Sequence, residues 1–137
     1  MAKKNKETLR RFIDEAWNKN NPAICDELLT PEFRHYMPGS KEPVVGPEGY
    51  KQLLAMFRTA FGRRRMDIEE IFGEKSQICV RWTFRGVHRG EYDGVAPTRR
   101  KIRVDGVAVA RVRKGKIEEV HSVFDTASLR AALTAAD

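Results

Sequence analysis

The apolar residues of this chain change period once, and that change decides the fold class. Up to Phe61 they return every three or four residues; from Met66 to Phe124 they alternate. Leu9, Phe12, Ile13, Ala16 and Trp17 form one helical stripe, and Tyr50, Leu53, Leu54, Phe57 and Phe61 form another. Between them a short helix is predicted over 23–29, with Asn21 as N-cap and Pro22 at the first helical position. It stops at Thr30-Pro31, and Phe33 to Tyr36 reads as extended. Gly62 is expected to close the third helix as the residue after its cap. Then 66–72, 77–87, 100–112 and 116–124 read as strands, with turns at Gly73-Glu74-Lys75, 90–97 and Lys114-Gly115. A last short helix is expected over 126–135. Helices followed by an antiparallel sheet make an α+β class, with helices on one face of the sheet.

The final hairpin carries most of the functional information. Read as a three-residue loop, Arg113-Lys114-Gly115, it uses the glycine for a left-handed conformation. Val112 then faces Lys116, Ala108 faces Val120, and Gly106 faces Ser122. One sheet face holds Gly106, Ala108, Ala110, Val120, Ser122 and Phe124. The other holds Val107, Val109, Arg111, Ile117, Glu119, His121 and Val123. Three very small side chains in a row mean either a closely packed helix or room for a ligand. A strongly curved sheet folded over helices tends to enclose an apolar cavity at its open end. Its expected lining is Gly106, Ala108, Val120, Ser122 and Phe124 from the sheet, and Trp17, Tyr50, Phe57 and Phe61 from the helices. The plain alternative is that the aromatics are simply core.

Composition narrows the function classes. A chain of 137 residues is expected to form one domain with a real core. The net charge of +7 comes from basic residues near the N-terminus, from 63–65 and from 99–101. These suit either an anionic partner such as RNA or three separate solvated surfaces. The lack of an aromatic platform or nucleic-acid motif argues against RNA. No stretch approaches the roughly 20 apolar residues of a membrane span, and no secretory signal follows the charged start. The expectation is a protein of the cytoplasm without a membrane partner. Cys25 and Cys79 are read as reduced packing residues. No His, Asp or Glu cluster has metal-ligand spacing and no Gly-rich phosphate loop occurs, so no metal or cofactor is expected.

Nearly the whole chain resembles a known family. The matching pieces run from Trp17-Asn18 through Leu28-Leu29-Thr30-Pro31-Glu32-Phe33-Arg34-His35 and Gly46-Pro47-Glu48-Gly49-Tyr50. They continue with Val80-Arg81-Trp82-Thr83, Gly86-Val87-His88-Arg89-Gly90 and Val95-Ala96-Pro97-Thr98. They close with Arg111-Val112-Arg113-Lys114-Gly115-Lys116-Ile117 and Val123-Phe124-Asp125. Together these resemble the SnoaL-like branch of the NTF2-like superfamily, the polyketide cyclases and ester cyclases. The resemblance implies a cone-shaped α+β barrel, commonly a homodimer through the outer sheet face, around an apolar pocket for a small molecule. It also implies cofactor-free aldol-type ring closure by an aspartate in the last strand, with a histidine on the neighbouring strand.

Counted from Gly115-Lys116-Ile117, the aspartate's place is held by Ser122 and the histidine's by Ala108. A serine without an adjacent base cannot replace that aspartate at neutral pH. His35 and Asp125 are therefore the catalytic candidates. The place of His35 often reaches the cavity in this family, and its ordinary pKa near 6.5 suits an acid or base; otherwise it is a hydrogen-bonded strand-end histidine. Asp125 is either a displaced carboxylate at the pocket mouth or the N-cap of the last helix. His121 should point outward, towards a partner subunit, and Tyr36 should point opposite to His35. His88 reads as a surface hydrogen-bond partner, and Arg81, if buried, needs a carboxylate such as Glu119 or Asp105. The expected function is small-molecule acid/base catalysis: cyclisation of a polyketide-like ester, or a related isomerisation or hydrolysis. The alternative is a non-catalytic binding or accessory protein that kept the pocket.

Overall fold

A computed structural model describes residues 2–134. Its elements are α1 (Ala2–Ile13), α2 (Ile24–Leu28), β1 (Leu29–Tyr36), β2 (Val44–Val45), α3 (Gly46–Ala60), β3 (Phe61–Glu74), β4 (Gln77–His88), β5 (Lys101–Arg113), β6 (Lys116–Phe124) and α4 (Thr126–Thr134). The strands form one curved six-stranded sheet in the order β2-β1-β6-β5-β4-β3. Only the β1–β6 pair is parallel. The sheet does not close on itself, and the helices fill its concave side. This is the expected α+β architecture. The core joins Leu9, Phe12, Trp17, Tyr50, Leu53 and Phe57 from the helices to Val80, Phe84, Ala108, Ala110 and Val120 from the sheet.

Several local expectations change, each for a visible reason. The first helix ends in a π-helical turn, Asp14–Asn18, where Lys19 N–H donates to the Asp14 carbonyl at 2.9 Å. There the Asn18 carboxamide bonds both backbone groups of Met66, donating to its carbonyl at 2.9 Å and accepting from its N–H at 2.7 Å. The side chain thus stands in for a strand partner, and Trp17 is anchored beside it. The second helix opens through tight turns in which the carbonyls of Asn21, Pro22 and Ala23 accept from the N–H groups of Ile24, Cys25 and Asp26, with no side-chain cap at its start. Gly62 does not cap α3. The chain turns extended at Phe61, because Arg89 and Gly90 donate both their N–H groups to the Ala60 carbonyl. A distant segment supplies the cap, and Gly62 joins β3.

The last hairpin has a two-residue loop, not three. Arg113 pairs with Lys116, and Lys114 and Gly115 both adopt positive φ, 51° and 73°. A bulge at Glu118 then adds the missing residue, so that Ala110 faces Val120 and Ala108 faces Ser122. The even-numbered face survives with partners shifted by two. Ile117, on the near side of the bulge, moves to the inner face and is fully buried beside Val112. The first turn also falls later than expected, with Gly73 and Glu74 still in β3 and Lys75 at φ 55°. The end of the last expected helix, 135, lies outside the described residues. No described helix is long and apolar enough to cross a membrane.

Candidate functional site

The concave face of the sheet and helices α1 and α3 enclose a cavity of about 90 Å³. Of the ten residues expected there, nine line it: Trp17, His35, Tyr50, Phe57, Phe61, Ala108, Val120, Ser122 and Phe124. Gly106 does not, because the Trp82 indole lies flat on it and occupies the space a Cβ would need. Trp82 takes its place in the wall. Met37, Met66, Trp82, Ser122 and Phe124 are only half-buried, so the cavity meets solvent on their side.

The only ionisable group expected near neutral pH in this lining is His35, which is 7% exposed. β1 lies parallel to β6, with His35 opposite Val120, and this sets the imidazole against the next residue but one. His35 Nε2 is hydrogen-bonded to Ser122 Oγ at 2.9 Å. The serine therefore has a base beside it after all, brought by a strand 87 positions earlier in sequence. Burial, and to a lesser degree the nearby charge of His121, lower the His35 pKa from 6.5 to about 4. The imidazole is neutral at pH 7. Its Nδ1 is buried with no hydrogen-bond partner.

Tyr50 completes the group. Its ring stacks on His35 with centroids 5.4 Å apart and planes 20° from parallel. Its hydroxyl oxygen accepts from Trp17 Nε1 at 3.0 Å, and its own proton has no acceptor among the described residues. Burial raises the phenol's pKa, so the proton stays on. Tyr50 was expected in the lining as a member of an apolar stripe; nothing in its spacing marks a free donor. Trp17 in turn packs edge-on against Phe57 and Phe84.

The other candidates sit elsewhere. Asp125 is exposed and caps α4: it accepts from Ser128 N–H at 2.9 Å and from the Ser128 hydroxyl at 2.5 Å. Those bonds hold its pKa below the usual carboxylate value. It does not line the cavity and is not joined to His35. His121 points outward, bonded to Glu119 and stacked on Tyr36 at 4.4 Å. His88 is not a surface group: it is fully buried, and its Nδ1 lies 3.0 Å from Thr98 Oγ1 and accepts from Thr98 N–H at 3.2 Å. The loop folding back over β4 covers it. Arg81 is exposed and pairs with Glu70 at 2.7 Å, not with Glu119 or Asp105, because its side chain projects from the convex face.

The family model of the SnoaL-like polyketide cyclases matches residues 7–133. The chain belongs to this family. Among solved structures, it is similar to a proposed SnoaL-like polyketide cyclase from Jannaschia sp. CCS1. That match has 24% identity and TM-score 0.91, covering 100% of this chain and 96% of the other. A proposed polyketide cyclase from Acidithiobacillus ferrooxidans matches with 22% identity and TM-score 0.86, over 98% and 96% of the chains. IdmH of Streptomyces antibioticus, also a proposed polyketide cyclase, matches with 24% identity and TM-score 0.80, over 94% and 97%. At these identities the structural likeness speaks to the NTF2-like fold alone. No curated protein matches the sequence.

Proposed function

We propose that this SnoaL-like chain is an enzyme that moves a proton on a small carbonyl compound without a cofactor, using His35, Ser122 and Tyr50. The observation that carries this reading is the 2.9 Å bond between His35 Nε2 and Ser122 Oγ on the wall of an apolar cavity. With the imidazole proton on Nδ1, Nε2 accepts from the Ser122 hydroxyl. As Ser122 Oγ takes a proton from the carbon next to the ligand carbonyl, its own proton passes to Nε2. The ligand loses one proton, His35 gains one, and the Tyr50 hydroxyl donates to the enolate oxygen. Return of the proton to another carbon completes an isomerisation; in an aldol closure the enolate carbon bonds to the carbon of a second ligand carbonyl, and His35 returns the proton to the alkoxide oxygen formed there.

The magnitudes are consistent with this exchange of residues. A catalytic aspartate of this kind of chemistry has a pKa of about 4.6 in the ketosteroid isomerase case. His35, at about 4, has a similar proton affinity while carrying no charge at rest. The cavity of about 90 Å³ is below the roughly 300 Å³ at which ligand pockets usually begin. The ligand is therefore one small ring or acyl group, unless Met37 and Met66 move aside. A nucleophilic Ser122 is disfavoured, because Nδ1 of His35 has no carboxylate to orient it. The outward Val107, Val109 and Val123 support the homodimer that the family resemblance implies.

The test needs no known substrate. Small cyclic ketones and β-keto esters are incubated with the protein in D₂O and followed by proton NMR. Deuterium uptake next to the carbonyl above the buffer rate, lost in His35→Gln, is the expected result. Ligand binding without any exchange across the panel would sink the catalytic reading and leave the accessory one.

A further inference from the structure

We propose that Arg58, Arg64 and Arg89, gathered at the C-terminal end of α3, form a binding site for a phosphate group, free or carried on a larger ligand. Arg89 Nη2 donates to the Arg58 carbonyl at 2.6 Å, and Arg64 Nη1 donates to the Phe61 carbonyl at 3.2 Å. Arg58 Nη1 donates to Asn20 Oδ1 at 3.1 Å. The Arg89 side chain lies across Gly62, where a Cβ would come within 3.1 Å of its Cδ and 3.2 Å of its Nη1. The glycine leaves the channel in which this guanidinium rests.

The cluster brings three neighbouring guanidiniums together without an anion between them. Arg11, Arg65, Arg81, Arg85, Arg103 and Arg130 each hold a carboxylate. Among the described residues, none of Arg58, Arg64 and Arg89 does. Arg64 is half-buried, and both burial and the charges of Arg89 and Arg58 oppose its protonation. The negative end of the helix dipole offsets only about half a charge. Each guanidinium spends one N–H on the protein and keeps the others, in the forked geometry that phosphate oxygens match. None of the three lines the cavity, so this site stands or falls apart from the proposed reaction.

The test is calorimetric titration at low salt with inorganic phosphate and, separately, phenyl phosphate, each against chloride of equal ionic strength. We expect saturable binding of one ligand per chain, weakened at least tenfold in both Arg64→Gln and Arg58→Gln. Circular dichroism checks that both variants are folded, and two separate variants guard against one misfolding. Binding of both ligands means that the group itself is read; binding of phenyl phosphate alone means that a carried phosphate is required. No saturable heat, equal binding in both variants, or the same effect from chloride would overturn the proposal, leaving the arginines as helix-end caps.

Discussion

Two histidine–tyrosine stacks lie on opposite sides of the same strand pair. His35 on β1 stacks on Tyr50 inside the fold; His121 on β6 stacks on Tyr36 outside it. Each imidazole bonds an oxygen of β6, Ser122 Oγ within and a Glu119 carboxylate without. The residue types nearly repeat, and the surroundings do not. The inner pair is walled by Trp17, Phe57, Val120 and Phe124, and its partner oxygen is neutral. The outer pair stands in water, and its partner oxygen belongs to a carboxylate. On the proposed reading, a histidine serves as a base for carbon chemistry where it loses both solvent and carboxylate, so the side of the sheet matters more than the residue type.

Exchanging the two histidines' roles is the largest test of that contrast. His35→Gln should lower carbonyl-directed deuterium exchange by about 10²- to 10⁴-fold, the usual contribution of a positioned acid/base group. His121→Gln should change it by less than about threefold. Comparable losses in both variants would mean that the outer stack takes part. Tyr50→Phe keeps the stack and removes the donor, and a loss of roughly 10²-fold is expected if the hydroxyl holds the enolate.

Acid should distinguish the stacks next, through stability. The folded pKa of His35, about 4, lies below its unfolded value of 6.5. Between those values the unfolded chain binds a proton that the folded chain refuses. Stability from this group therefore falls as pH drops from 6.5 and levels off below about 4. The full gap converts to about 3 kcal/mol. Denaturant melts of the wild type and His35→Gln should diverge across that window; parallel curves would show that the imidazole is already protonated when folded. Ser122→Asp goes further and gives the inner pair the outer pair's chemistry. It should raise the His35 pKa by about one to three units, read from its ring-proton shifts. An unmoved titration would place the new carboxylate away from the imidazole.

Period and turn chemistry made the architecture legible, because alternation and helical stripes each report one buried face. The even-numbered face of β5 and β6 was readable in the same way, although the loop length behind it was not. The loop and the bulge at Glu118 are compensating errors of one residue, which a face-based argument cannot separate. The pair at the centre of the site was not legible. Ser122 and His35 meet only because β1 inserts parallel to β6, and no local pattern announces a parallel neighbour. Gly62 and His88 were misread for a related cause: Arg89 and Thr98 come back from one long loop, the first to bond the Ala60 carbonyl and the second to bond the His88 ring. Where a backbone or ring nitrogen finds its partner far along the chain, neighbouring residues carry no trace of it.

Asp125 gives the smallest effect and a clean control. It is the nearest carboxylate in sequence to Ser122, yet its oxygens hold Ser128 rather than His35. If its task is confined to that cap, Asp125→Ala should cost about 1 kcal/mol of stability and leave exchange untouched. Asp125→Asn should restore most of the stability, since a carboxamide oxygen can accept the same backbone bond. A fall in exchange that tracks charge rather than capping, large in both variants, would return Asp125 to the reaction. The inner stack would then work through a carboxylate after all, and its difference from the outer one would shrink to solvent exposure alone.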